Sequence, residues 1–150
     1  MNWSEIKERF YHEDGSFRDI IADKDVMFLE RWKLLCEFLQ ENYDVQMFCD
    51  VNEIGTFSYP LVEKAIFDEE HCYSASFSIS DMLFILHLSF GNRHLELDIF
   101  PNEVDSLDKH YAILDFMTRV ANVLQTRIMM TYENCPEGCL LEVEPAKTQE

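Results

Sequence analysis

Three apolar segments in the middle of the chain follow one another almost without connecting residues, and this restricts the fold more than any other feature. Tyr73 to Ile79, Met82 to Phe90 and His94 to Phe100 are separated only by Ser80-Asp81 and by Gly91-Asn92-Arg93. Connections this short join antiparallel neighbours, because a parallel crossover needs about a dozen residues or more. The segments therefore predict an antiparallel sheet, with Met82 to Phe90, apolar nearly throughout, as a central strand. In the third segment Leu95, Leu97 and Ile99 alternate with His94, Glu96 and Asp98, so one face of the sheet is expected to be wet.

Helical periodicity flanks this middle region. From Asp25 to Tyr43, Phe28, Trp32, Leu35, Leu39 and Tyr43 recur at three-to-four spacing, which marks an amphipathic helix. Asp105 and Asp108 supply a cap and first-turn charge for a second helix to about Gln125, with Leu107, Tyr111, Leu114, Met117, Ala121 and Leu124 on its apolar face. Two such stripes need a surface to cover. The expected class is α+β: a mainly antiparallel sheet centred on residues 73–100, with the helices at about 25–43 and 106–125 packed on one face.

Shorter elements complete the reading. Asn2 can cap a helix from Trp3 to Tyr11, and Ser58 and Pro60 open another that runs to Phe67. Phe17 to Ala22 reads as a short strand or an extended lead-in to the next helix. Val45 to Val51, Arg127 to Tyr132 and Leu140 to Val143 read as strands, the last two parted by a Cys135-Pro136-Glu137-Gly138-Cys139 loop. No repeat or linker divides residues 1–150, so one domain is expected, with a frayed tail at 145–150.

Charge then limits the choice of partner. The chain carries 29 acids against 12 bases, a net charge of −17. Residues 1–40 hold nine acids and six bases, 41–93 nine and two, and 94–150 eleven and four. Such a field repels nucleic acid and anionic lipid and steers cationic partners inward. The odd set of five cysteines, Cys36, Cys49, Cys72, Cys135 and Cys139, fits a reducing compartment. The acidic start lacks a secretory pattern, and no apolar run approaches the roughly 20 residues that span a bilayer. A cytoplasmic protein is expected.

No familiar catalytic or cofactor pattern emerges. His94, Glu96 and Asp98 share a strand face, but three such residues span roughly 13 Å and converge poorly on one ion; a second element would have to supply most of the ligands. A nuclease of the restriction type needs a Glu-x-Lys that is missing here, since Leu97 and Ile99 follow the acids. Cys135 and Cys139 have neither redox spacing nor a second ligand pair. His71-Cys72 has nothing to orient it as a nucleophile, and the four glycines are too scattered for a phosphate loop. The expectation is no enzyme, no cofactor and no bound metal.

The run Asp68-Glu69-Glu70, with Asp50, Glu53 and Glu63 nearby in sequence, is the best candidate for contact with Lys and Arg of a basic protein partner. In its size, acidic balance, α+β content and the segments Glu53-Ile54-Gly55-Thr56-Phe57-Ser58-Tyr59 and His94-Leu95-Glu96-Leu97-Asp98-Ile99-Phe100-Pro101, the chain resembles the small immunity proteins of bacterial polymorphic-toxin and contact-dependent inhibition systems. The resemblance implies a protein that blocks one cognate toxin by binding it and catalyses nothing. It assigns no individual residue a role. Other classes in view are a scaffold or regulatory subunit, a DNA mimic, whose carboxylates would need a two-row spacing not seen here, and a small enzyme with an unfamiliar site.

Overall fold

Eight strands join in one antiparallel sheet in the computed structural model, which describes residues 1–147. In chain order the elements are α1 (Trp3–Phe10), β1 (Arg18–Ala22), α2 (Leu29–Asn42), β2 (Gln46–Cys49), β3 (Asn52–Thr56), α3 (Tyr59–Phe67), β4 (Tyr73–Ile79), β5 (Met82–His87), β6 (Glu96–Ile99), α4 (Leu107–Leu124), β7 (Ile128–Tyr132) and β8 (Cys135–Val143). Across the sheet the order is β3-β2-β4-β5-β6-β1-β7-β8. The expected α+β class and antiparallel sheet are both present.

The β4–β5 hairpin forms for the reason its sequence suggests. Ser80 and Asp81 both take positive φ, 49° and 63°, the paired left-handed conformation of a two-residue turn that matches strand twist. The turn sets Phe77 opposite Phe84 and Ala75 opposite Leu86. Leu86 then faces Leu97, Leu97 faces Ile20, and Ile20 faces Met130. One row of buried side chains thus runs across five strands. From α4, Phe116 meets Phe77 and Phe84 with ring centroids 5.7 and 5.0 Å away. It also meets Phe38 of α2 at 6.3 Å and Tyr43 at 6.1 Å.

Several boundaries differ from the sequence reading. The second helix begins at Leu29 rather than Asp25, because Asp25 sits at φ 59° and the segment after it is held as a loop. Met27 N donates to Arg93 O, and Arg31 Nη1 to Val26 O. The helix α4 is capped by Ser106, whose side chain accepts from Lys109 N, rather than by Asp105. Its buried stripe runs through His110, Ile113, Phe116, Met117, Val120, Ala121 and Leu124. Tyr111 therefore faces solvent: the helix has apolar residues on two adjoining stripes, and the one carrying Phe116 packs. Strand β3 was not expected, since all five of its residues are exposed and no alternation marks it. Cys135 to Cys139, read as loop, is the irregular first half of β8, with register shifts opposite Thr131 and Tyr132. Ala146 N donates to Asn122 Oδ1 at 2.7 Å; residues 148–150 of the expected tail lie outside the described residues.

Polar side chains lock the ends of the layers together. Arg18, wholly buried, donates from Nε to Phe10 O and from Nη2 to His12 O. Its Nη1 reaches Phe17 O and Ser16 Oγ, which fastens the segment after α1 onto β1. His110 is buried against Phe10, with Tyr11 Oη 2.7 Å from its Nδ1. Burial holds its imidazole below the ordinary histidine value, because desolvation disfavours the charged form.

That depression fixes a sign. The stability contributed by neutral His110 is complete above the unfolded histidine value of about 6.5 and is lost as pH falls through the lower folded value. Urea titrations of wild type and His110→Gln at pH 7 and pH 5 should therefore show a smaller pH-dependent loss in the variant. Equal losses would remove His110 from the account. No helix among the described residues is long and apolar enough to cross a membrane.

Candidate functional site

The six acids singled out by sequence do not all gather in one place. Asp50 occupies the β2–β3 turn at φ 56° and is tied to the segment after α3. Asp50 N donates to Cys72 O, Cys72 N donates to Asp50 Oδ1 at 3.1 Å, and Asp50 Oδ2 lies 3.4 Å from His71 Nδ1. Asp68 follows α3 directly and accepts from Glu70 N and from Tyr73 Oη. These hydrogen bonds, the Glu70 amide first, hold its carboxyl below the usual range. Glu69 and Glu70 project into solvent. Asp50 is thus tied to His71 and Cys72, directly after the Asp68–Glu70 run.

Glu53 and Glu63 stand apart from that junction. Glu53 is exposed on β3 opposite Phe48, and Glu63 is exposed on α3, accepting from Tyr59 Oη at 2.9 Å. Glu63 does share a shallow cleft with Pro60, Lys64, Phe67 and Asp68.

Sequence reasoning passed over the exposed apolar residue beside Glu63 and the Asp68–Glu70 run. Phe67 is the last residue of α3 and is 54% exposed. It lines the cleft with Glu63 and Lys64 and also a second one, formed with Asp68, Glu69, His71, Ser89 and Asn92. Val51, 91% exposed in the β2–β3 turn beside Asp50, and Ile54 on β3 are also uncovered. The one signal in the sequence was an aromatic residue immediately ahead of an acidic run. Arrays of acids around an exposed aromatic side chain suit a protein contact, where a central anchor is desolvated within a polar rim.

A second constellation lies elsewhere, on the sheet face turned away from Leu97 and Ile99. Three adjacent strands converge there: Asp19 of β1 is paired with Asp98 of β6, and His87 of β5 with Glu96 of β6. His87 Nε2 lies 2.7 Å from Asp98 Oδ2, and its ring stacks on Phe90 with centroids 4.4 Å apart. Asp19 accepts from Asn134 N at 2.9 Å. This face was expected to be wet along β6, but Asp98 is only 8% exposed and Asp19 only 3%. Ile21 and Met129, beside them in the register, are buried too yet lie outside the main core. Here the sheet is therefore closed on both faces.

Burial has direct electrostatic consequences. Desolvation first, then the neighbouring Asp98 carboxyl and the Glu96 charge, push the Asp19 carboxyl well above the usual range, against the opposing amide of Asn134. For His87, desolvation acts to lower the imidazole, but the hydrogen bond and charge of Asp98, with Glu96 and Asp19, outweigh it, and the net direction is upward. His94, grouped with Glu96 and Asp98 by strand spacing, meets Glu96 only at 3.4 Å. The histidine brought to Asp98 is His87. Its trace in the sequence is a single polar residue in an otherwise apolar strand, as Asp19 is the single acid within Phe17 to Ala22.

The five cysteines are all free thiols. Cys49 lies close to Asp50 and His71, forming a group at the strand ends whose Asp50 and His71 are exposed. Cys135 and Cys139 point to no common partner: one is near Glu137, the other near Leu141 O. No family model, no curated protein and no solved structure matches the chain.

Proposed function

We propose that the protein is a non-catalytic, acidic protein-binding domain of the cytoplasm that takes a basic protein partner, in the manner of immunity proteins that neutralise a cognate bacterial toxin by binding it. The observation that carries this reading is the exposed Phe67 set among Glu63, Asp68 and Glu69, with Asp50 joined to the same loop. Phe67 supplies the apolar anchor, and the acids supply steering and a rim that selects Lys and Arg. In this reading α2 and α4 together cover the Phe77–Phe84 face of the sheet, so that the β2–β3 hairpin and the end of α3 are left free for the partner.

The region bears on steering as well. Residues 41–93 contain nine acids and only two bases. Of those bases, Lys64 stands inside the surface, while Arg93 is occupied with Asp25 O.

The test is affinity capture from the source cells with wild-type bait, followed by binding measurements on the identified partner. Phe67→Ala is expected to weaken the complex by tenfold or more, the size of an interface hot spot. The triple variant Asp68→Asn, Glu69→Gln, Glu70→Gln is expected to weaken it as well, mainly through slower association. A partner that is itself acidic, or one indifferent to both variants, would contradict the proposal.

A further inference from the structure

We propose that His87, Glu96 and Asp98, with Asp19 beside them, form a binding site for one divalent first-row cation on the second face of the sheet. This site is separate from the Phe67 surface and does not depend on the protein-binding reading.

Convergence is the first argument. The strand spacing of Glu96 and Asp98 alone places their side chains too far apart along β6 for a complete ligand set. The antiparallel register supplies the missing element, since β5 brings His87 opposite Glu96. One ligand atom from each of His87, Glu96 and Asp98 falls within 4.8 Å of the others. An ion with bonds of about 2.0–2.2 Å holds its ligands roughly 3–4.4 Å apart, so side-chain rotation by a fraction of an ångström to an ångström closes the set. The His87 ring is already oriented, stacked on Phe90 with Nε2 turned to Asp98. An ion at Nε2 replaces the hydrogen bond that this nitrogen shares with Asp98, while the Phe90 stack keeps the ring in place.

The second argument is independent of convergence and concerns charge. Asp19 and Asp98 are both more than nine-tenths buried and are direct register partners on neighbouring strands. Carboxylates buried side by side repel one another, and a cation held among them offsets that repulsion. No lysine or arginine among the described residues pairs with these acids. Among the described residues, the ion-pair partners of Glu96 and Asp98 are His94 and His87 alone, and Asp19 has none. The groups that face the cluster are His87 from β5, Glu96, Asp98 and His94 from β6, Asp19 from β1 and the Asn134 amide from the β7–β8 turn. The two histidines can supply positive charge when protonated, so at pH 7.5 a cation competes with a proton at His87 for the same carboxylates.

The donor chemistry names the class of ion. One imidazole nitrogen with carboxylate oxygens suits Mn2+ or Zn2+, whereas a thiolate-rich set would select zinc or copper(I). The Cys49, Asp50 and His71 group is the one other three-residue cluster of this kind among the described residues, and its thiol competes for zinc. It has little liking for manganese.

Mn2+ is therefore the first probe, titrated into the full chain at pH 7.5 and followed by electron paramagnetic resonance of the free ion. Zn2+ is the second, used in a Cys49→Ser, His71→Gln background. The expected result is saturable uptake of one ion per chain, weakened tenfold or more by Asp98→Asn and by His87→Gln. Mn2+ uptake in the Cys49→Ser, His71→Gln protein should match wild type. Both substitutions preserve side-chain size, and the Tm without metal shows whether each variant is folded; the folded one carries the test. Absence of saturable uptake of either ion, or uptake unchanged by the folded variant, overturns the site. So does Mn2+ uptake that disappears in the Cys49→Ser, His71→Gln protein.

Discussion

Replacing Arg18 by Met is expected to destabilise the protein by about 3 kcal/mol or more, enough to threaten folding of a domain with ordinary marginal stability. Arg18 is wholly buried, and its guanidinium is the hydrogen-bond donor to Phe10 O, His12 O and Phe17 O. Methionine fills comparable volume and keeps the apolar stem but leaves the buried Phe10 O and the part-buried His12 O and Phe17 O without their donor, and an unsatisfied buried group costs about 1–3 kcal/mol. Opening of the segment to water relieves part of that cost, which is why the expectation stays near the low end of the sum. Arg18→Lys should rescue little, because an ammonium on a flexible stem cannot reach three divergent acceptors in the plane of a fork. Urea unfolding of the three proteins measures the effect. A loss below about 1 kcal/mol for Arg18→Met would mean that the carbonyls find other partners.

Phe116→Ala is the second large effect, expected at about 3–5 kcal/mol from lost transfer energy and the residual cavity. Its ring packs at once against Phe38 of α2, Tyr43 after it, Phe77 of β4 and Phe84 of β5. Removing it therefore takes contacts from Phe38, Tyr43, Phe77 and Phe84 at once. Phe116→Leu retains most of the apolar volume and should lose well under half as much. Should both variants unfold at the same denaturant midpoint as wild type, the aromatic cluster would not be the junction described.

What the sequence revealed, and what it hid, follows from how far each feature depends on long-range register. The hairpin of β4 and β5 was legible because a two-residue turn and unbroken apolar character are local. So was α3, with Pro60 in its first turn. Strand β3 escaped because it is an exposed edge, where neither face is selected for apolar residues. The rotation of α4 escaped because a helix with two adjoining apolar stripes does not say which one the sheet will take.

The candidate sites divide along the same line. Acidity was readable, but Phe67 looked like an ordinary end to an apolar helix until its exposure was known. Glu96 and Asp98 were readable as same-face neighbours. Their partners were not, because His87 and Asp19 arrive through strand pairing, and no spacing rule within one strand can reveal them.

The proposed binding surface is tested most directly by association kinetics with the purified partner. Rates for wild type and for the Asp68→Asn, Glu69→Gln, Glu70→Gln variant should be measured at 50 mM and 300 mM salt. Exposed charges act over about 10 Å at 0.1 M ionic strength and less as salt rises. Wild-type association should therefore slow markedly between the two conditions while dissociation changes little, and the variant should associate more slowly at low salt with a flatter salt dependence. Association indifferent to both salt and the triple substitution would contradict the assignment and reduce the acidic end to a solubility device.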